Sequence, residues 1–309
     1  MLGTSVPAGH LPPDDGAHLL DEVAPLLRDA DVTFANLEDP LCDSGVTTKC
    51  RPGSYCFAFR TPTSYGAYLA DAGIDVVSTA NNHAGDFGEP CRRETESTLD
   101  AQHIAWSGPP GSVARLEVRG LKLALLAFHT SSSTNDVNDL PQAKKLVASL
   151  AGEVDLVIVS FHGGKEGTNA THVADGAERY LGENRGDLKR FAHAMIDAGA
   201  GLVLGHGPHV LRAMEVYRGH LIAYSLGNFA TYGRFDLSGP LAVSVVLEAT
   251  LDAAGRFVEG RLISTKQLGL GVPVPDDAAQ GMKLVRSLGA ADFPSSAVVV
   301  EPDGHLAPR

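Results

Sequence analysis

The chain has no run of 18 or more apolar residues, the length a helix needs to cross a bilayer, so no membrane-spanning helix is expected. Residues 1–7 lack the basic start and apolar stretch of a secretion signal, and none is expected in the chain as it stands. Basic residues are few: 25 Lys and Arg against 37 Asp and Glu leave a formal charge of -12. That balance argues against nucleic acid as a partner, because a phosphate backbone calls for Lys/Arg surface. It also repels a polyanion at long range unless bound cations reverse the sign locally. No Cys-x-x-Cys pair occurs, which argues against a thiolate zinc site.

What is present fits a globular protein with one large α/β domain. The 309 residues can bury a sizeable core, and 34 Gly with 18 Pro imply many tight turns. Cys42, Cys50 and Cys56 fall in an excursion loop rich in Gly, Ser, Thr, Lys and Pro, with Cys91 further on. They read either as free thiols or as a disulfide staple, the latter requiring an oxidising compartment.

Short apolar runs alternate with helical patterns. Strands are expected at 32–36, 75–79, 122–128, 155–161, 202–204 and 221–225, several apolar on both faces as in a buried parallel sheet. Helices are expected at 16–30, 63–72, 92–103, 140–150 and 186–198, with Gly73 and Gly199 as C-terminal caps of two of them. Beyond residue 230 the pattern becomes antiparallel: strands at 241–250 and 256–268 around a turn at 252–255, a helix at 276–288, and a strand at 297–300. No repeat or linker divides the chain, so 1–309 reads as one domain whose residues 230–309 supply antiparallel strands and a helix.

Polar residues gather where strands end. Asn36 and Glu38 follow the first strand, Asn81, Asn82 and His83 the second, His162 the fourth, His206 and His209 the fifth, and Asn228 the sixth. In α/β sheets ligands bind at the carboxyl ends of strands. Each residue alone has an ordinary reading: a hydrogen-bonded loop imidazole, a solvated carboxylate, a turn asparagine. Together they make a mixed nitrogen and oxygen donor set suited to Zn, Mn, Fe or Co, and two such ions would share ligands and activate a water. His129 also ends a strand and is a further candidate. Arg60, after the alternation Tyr55, Phe57, Phe59, binds either an anionic substrate or a structural partner. His10, His18, His103, His172, His220 and His305 are expected to be solvated, and His193 to pack on its helix.

In this order the clusters resemble the CapA family of poly-γ-glutamate capsule proteins, a branch of the calcineurin-like metallophosphoesterases. The matching stretches are 30–38, 72–83, 159–164, 205–210 and 224–229, and the resemblance covers about residues 1–229. It implies an α/β metallophosphoesterase-like β-sandwich flanked by helices, in four αββα layers, with a dinuclear site at one edge. Carried over motif by motif, it implies Glu38, Asn82, His162, His206 and His209 as ligands of two divalent ions, Mn, Fe or Zn. His83 would orient substrate or act as general acid, and Asn228 would support the site or face the substrate. Family members begin with a strand ending in Gly-Asp before a stretch similar to residues 1–4, so that strand and its Asp ligand are expected to be missing from this chain. Gly163 stands where the family usually has Trp, and His206-Gly207 where it has His-His, with the His-x-Pro-His spacing kept.

The resemblance implies a metal-dependent hydrolase of capsule biosynthesis acting on a phosphoester or glutamyl amide. A non-catalytic accessory protein of polymer assembly or export, or a metal-dependent peptide epimerase, are alternatives on the same scaffold. The implied partners are an anionic polymer or small-molecule substrate and capsule-synthesis membrane proteins. Relatives are anchored outside the cytoplasmic membrane, which leaves the compartment of this chain open.

Overall fold

Three parallel strands, β1 (Phe34–Asn36), β2 (Val76–Ser78) and β3 (Ala105–Ser107), open the fold as a small sheet in the computed structural model, which describes residues 1–47, 49–50 and 56–309. Tyr55 lies outside those residues. A seven-stranded sheet follows. It holds β4 (Ala114–Val118), β5 (Leu121–His129), β6 (Asn135–Asp136) and β7 (Leu156–His162). After a small hairpin, β8 (Arg179–Tyr180) and β9 (Glu183–Asn184), it adds β10 (Leu202–His206), β11 (Met214–Tyr217) and β12 (His220–Ala223). Its order is β11-β12-β10-β7-β5-β4, with β6 paired to β5. The central strands β12, β10, β7 and β5 are parallel, so their carboxyl ends share one edge. An antiparallel sheet closes the chain: β13 (Val243–Leu251), β14 (Phe257–Leu268), β15 (Val272–Pro275), β16 (Val299–Val300) and β17 (His305–Ala307).

Period-two alternation decides the layering. Along β5, Ala124, Leu126 and Phe128 join one core while Leu123, Leu125 and Ala127 join another. The first core packs against α4 (Leu140–Ala151) and α5 (Leu188–Asp197), numbered after α1 (Ala24–Leu27), α2 (Tyr65–Asp71) and α3 (Gly88–Ala101). The second lies between the large sheet and Val76, Val243, Val245 and Leu262, together with Met282 and Val285 of α6 (Gln280–Asp292). On the far side of the small sheet, Val77 packs with Leu27, Leu69 and Leu99 of α1–α3. The result is helix, sheet, sheet, helix: the four-layer αββα sandwich that the family resemblance implies.

Most expected elements appear with ends shifted by a few residues. Gly73 and Gly199 both adopt positive φ after their helices, as capping glycines do. The helix expected at 16–30 does not form as one piece. Gly16 sits at φ +81, and a Cβ there would meet the Tyr65 hydroxyl at 2.4 Å. Pro25 then breaks the ladder and starts a separate short helix, α1, because it has no N–H to donate. Short strands such as β3 and β11 carry too few residues for period-two alternation to stand out.

Candidate metal centre

His206 ends β10 directly beside His162, which ends β7; the two are register partners. His162 is buried and His206 half-buried, and they reach the centre from adjacent strands. Gly207 must be glycine: its φ is +120, and a Cβ there would meet the Gly163 carbonyl oxygen at 2.3 Å. That close approach seats Gly163 N–H on His206 O at 2.9 Å and swings the chain round to His209. His209 itself lies in the left-handed region at φ +61. Its Nδ1 faces Asn228 Oδ1 at 2.8 Å, and Asn228 Nδ2 donates to Leu241 O at 3.1 Å. Asn228 therefore sits behind His209 and orients it.

From the small sheet, Glu38 follows β1 and brings Oε1 to 3.5 Å from His162 Nε2 and 3.6 Å from His209 Nε2. Asn81 ties the neighbouring loop to this one, donating from Nδ2 to Leu37 O at 2.8 Å while its Oδ1 accepts the N–H groups of His83 and Ala84. Asn82 and His83 are held on that loop. His83 Nδ1 lies 2.7 Å from Asp86 Oδ2, and Asp86 also accepts Lys49 Nζ at 2.5 Å and Phe59 N–H at 2.9 Å. Lys49 Nζ reaches the Asn82 carbonyl at 3.1 Å. Sequence reasoning passed over Asp86 and Lys49; the spacing His83-x-x-Asp86, which puts a carboxylate within one turn of the imidazole, was the available signal for the first.

Buried polar atoms with no hydrogen-bond partner gather in this region: Asn36 at Oδ1, Glu38 at Oε1, Asn82 at Oδ1, His129 at Nδ1, His206 at Nε2 and His162 at both ring nitrogens. Burial, with the neighbouring His129 and Arg185, holds His162 well below the usual imidazole range. Burial alone pushes His206 down to about 3. His129 is also buried, 5.5 Å ring to ring from His162, and burial followed by the Arg185 charge lowers it to about 3. These imidazoles are therefore neutral and present lone pairs. Among the described residues, no three His, Cys, Asp or Glu side chains close to full metal-ligand spacing. The chemistry of the set nevertheless fits a divalent cation, since a carboxylate oxygen and imidazole nitrogens face one another without hydrogen bonds.

Aromatic rings wall the mouth. Phe59 meets the His83 ring edge-on at 4.8 Å and stacks on Phe235 at 5.6 Å, and Phe235 lies 5.5 Å from His209. Arg234 caps Phe57 at 5.1 Å. Arg60 is engaged structurally, through Ser5 Oγ, Gly45 O and the face of Phe87. His193 packs, as expected, stacked on Tyr217 and bonded to Glu215. All four cysteines pair, Cys42 with Cys91 and Cys50 with Cys56, so the staple reading holds over free thiols.

The architecture is thus a four-layer αββα sandwich carrying imidazoles and a carboxylate at the ends of its strands. The bacterial capsule synthesis protein family PGA_cap matches residues 1–232, and the chain belongs to that family. The PGA biosynthesis protein CapA of Bacillus subtilis is 29% identical over 224 residues, covering 67% of this chain and 55% of that protein. The capsule biosynthesis protein CapA of Bacillus anthracis is 27% identical over 234 residues, 69% of this chain and 53% of that protein. A probable polyglutamine synthesis accessory protein of Mycobacterium tuberculosis is 38% identical over 231 residues, 64% of this chain and 55% of that one. The chain thus spans about half the length of these curated relatives. A hypothetical protein from Thermus thermophilus overlays with a TM-score of 0.44 at 21% identity, over 85% of this chain and 92% of that one, too loosely to inform the site.

Proposed function

We propose that the strand-end cluster is a divalent-cation centre that hydrolyses a phosphoester or a glutamyl amide in capsule-polymer biosynthesis. The observation that carries this reading is the approach of Glu38 Oε1 to His162 Nε2 at 3.5 Å and His209 Nε2 at 3.6 Å, beside buried polar atoms of Glu38, Asn82, His162 and His206 that have no hydrogen-bond partner. An unsatisfied buried polar group costs roughly 1–3 kcal/mol, and one shared cation would satisfy several at once. Glu38, Asn82, His162, His206 and His209 would hold two such ions, Mn, Fe or Zn. When bound, the ions supply Lewis acidity and a water that ionises near neutral pH.

The remaining work falls to side chains of the chain itself. His83, oriented through Nδ1 by Asp86, keeps Nε2 free as proton donor to the leaving group. Lys49 balances the charge of Asp86 and fixes the loop carbonyl of Asn82. Phe59 and Phe235 exclude water between His83 and His209 and offer an apolar wall to the methylenes of a substrate. Arg234 and Lys49 supply positive charge at the mouth of a chain that is otherwise strongly acidic, which lets an anionic substrate approach.

The test is turnover of p-nitrophenyl phosphate, bis-p-nitrophenyl phosphate and γ-glutamyl-p-nitroanilide in Mn(II) and in EDTA. Metal-dependent release from at least one, abolished in His206→Ala and Glu38→Ala, is expected. Release that ignores both chelator and substitution would contradict it.

The name of the Mycobacterium tuberculosis relative favours a second reading, an accessory protein that handles the polymer beside the synthesis machinery. Binding of γ-glutamyl oligomers that persists in EDTA, without turnover in Mn(II), would select it. Either role outside the reducing cytosol fits the two disulfides.

A further inference from the structure

We infer that Glu166 is a further metal-binding carboxylate of this centre, closing it on the His209 side, and that Arg185 is the residue that positions it. The inference rests on the reading of the cluster as a cation site. Glu166 Oε2 lies 3.9 Å from His209 Nε2, and Glu38 Oε1 lies 3.6 Å from the same nitrogen. With Nδ1 committed to Asn228, His209 turns Nε2 toward both carboxylates. Two carboxylates aimed at one imidazole nitrogen repel each other, and a divalent cation among them relieves that repulsion.

Glu166 is aimed by its surroundings. Its other oxygen, Oε1, accepts Arg185 Nη2 at 2.9 Å, and the Arg185 side chain is only 3% exposed. A carboxylate with one oxygen held in a charge-assisted bond presents the other in a fixed direction, the usual way a ligating carboxylate is held. The loop that carries it is stitched at successive residues. Gly164 N–H donates to Arg185 O at 2.8 Å, Lys165 N–H to Glu178 Oε2 at 3.0 Å, and Gly167 N–H to Pro208 O at 3.1 Å. Glu178 is in turn clamped by buried Arg212. Gly163 makes room for this: a Cβ there would meet Arg185 O at 2.7 Å. An ordinary surface ion pair would need none of this, and Arg185 already has a second carboxylate, Glu183, at 3.3 Å.

The test is calorimetric titration of the full chain with Mn(II), with thermal melts in EDTA to establish folding. Glu38→Gln serves as the reference variant for the centre itself. Glu166→Gln should melt near wild type in EDTA, yet bind Mn(II) at least tenfold more weakly or lose one equivalent. Glu166→Asp, charged but shorter, should fall between, and it provides the readout if Glu166→Gln does not fold. Arg185→Gln should weaken binding in the same direction, with part recovered in Arg185→Lys. Wild-type affinity and stoichiometry in Glu166→Gln, alongside loss in Glu38→Gln, would overturn the inference and leave the centre standing. No Mn(II) binding by the wild-type chain would instead remove the cation site and this inference with it.

Discussion

His209 and Asn228 are joined at 2.8 Å, and because Asn228 Nδ2 is committed to Leu241 O, the amide presents its oxygen to the ring. That orientation requires a proton on Nδ1 and leaves Nε2 as the face turned to Glu38. Removing the amide should free the ring without touching any proposed ligand. Asn228→Ala is expected to keep its fold and lose roughly 10–100-fold in metal affinity, the usual cost of losing a group that orients a ligating His. Calorimetric titration with Mn(II) measures it, and an unchanged affinity would remove Asn228 from the site.

The buried imidazoles predict the pH dependence of the metal-free protein. His129 and His206 stand at about 3 in the folded chain, and burial holds His162 low as well. In the unfolded chain they would titrate at ~6.5. Between those values the unfolded state binds more protons, so folding stability rises with pH across this window. It is complete above the unfolded value and is lost as pH falls toward the folded one. Urea denaturation in EDTA should give a lower midpoint at pH 5 than at pH 7. His129→Gln should flatten part of the slope, and an identical slope in that variant would contradict the assignment.

Arg212 is fully buried and grips both oxygens of Glu178 at 2.8 and 2.7 Å while its Nε donates to Ala170 O. Taking away one member leaves a buried charge without its partner. Arg212→Met is expected to cost about 3–5 kcal/mol in unfolding free energy. Replacing both partners by apolar residues should cost less than the single change. Denaturant titration of the two variants gives the comparison, and a single variant as stable as wild type would refute it.

Gly207 has no room for a methyl group against Gly163 O and holds a φ that favours glycine. Gly207→Ala should push the ends of β7 and β10 apart, lowering stability by about 2 kcal/mol or more. Metal binding should fall with it, because His162 and His206 lose their register. A thermal melt paired with Mn(II) titration reads both.

The sequence made the layering legible through long buried strands. Leu121–His129 and Leu156–His162 alternate between two cores, and their apolar runs mark them as interior parallel strands. The segment 16–30 misled because its apolar spacing looks helical while Gly16 and Pro25 act locally against a continuous helix. Glu38, His162, His206 and His209 could be picked out because each lies at the end of an apolar strand or within three residues of it. Asp86 is signalled only by its spacing from His83, and Lys49, Glu166 and Arg185 not at all, since what gives them meaning is proximity across loops: Arg185 reaches Glu166 over 19 positions and Lys49 reaches Asp86 over 37. For Asn228 the sequence allows either a supporting or a substrate-facing place, and the structure adds its bond to His209, which no local pattern announces.

The most direct measurement is metal content by plasma mass spectrometry on the full chain, purified without chelator and dialysed against metal-free buffer. Mn, Fe or Zn should be retained in stoichiometric amount by the wild type and lost in His162→Ala and His206→Ala. A wild type that carries no metal, or variants that retain as much as the wild type, would contradict the reading of these strand ends as a cation centre.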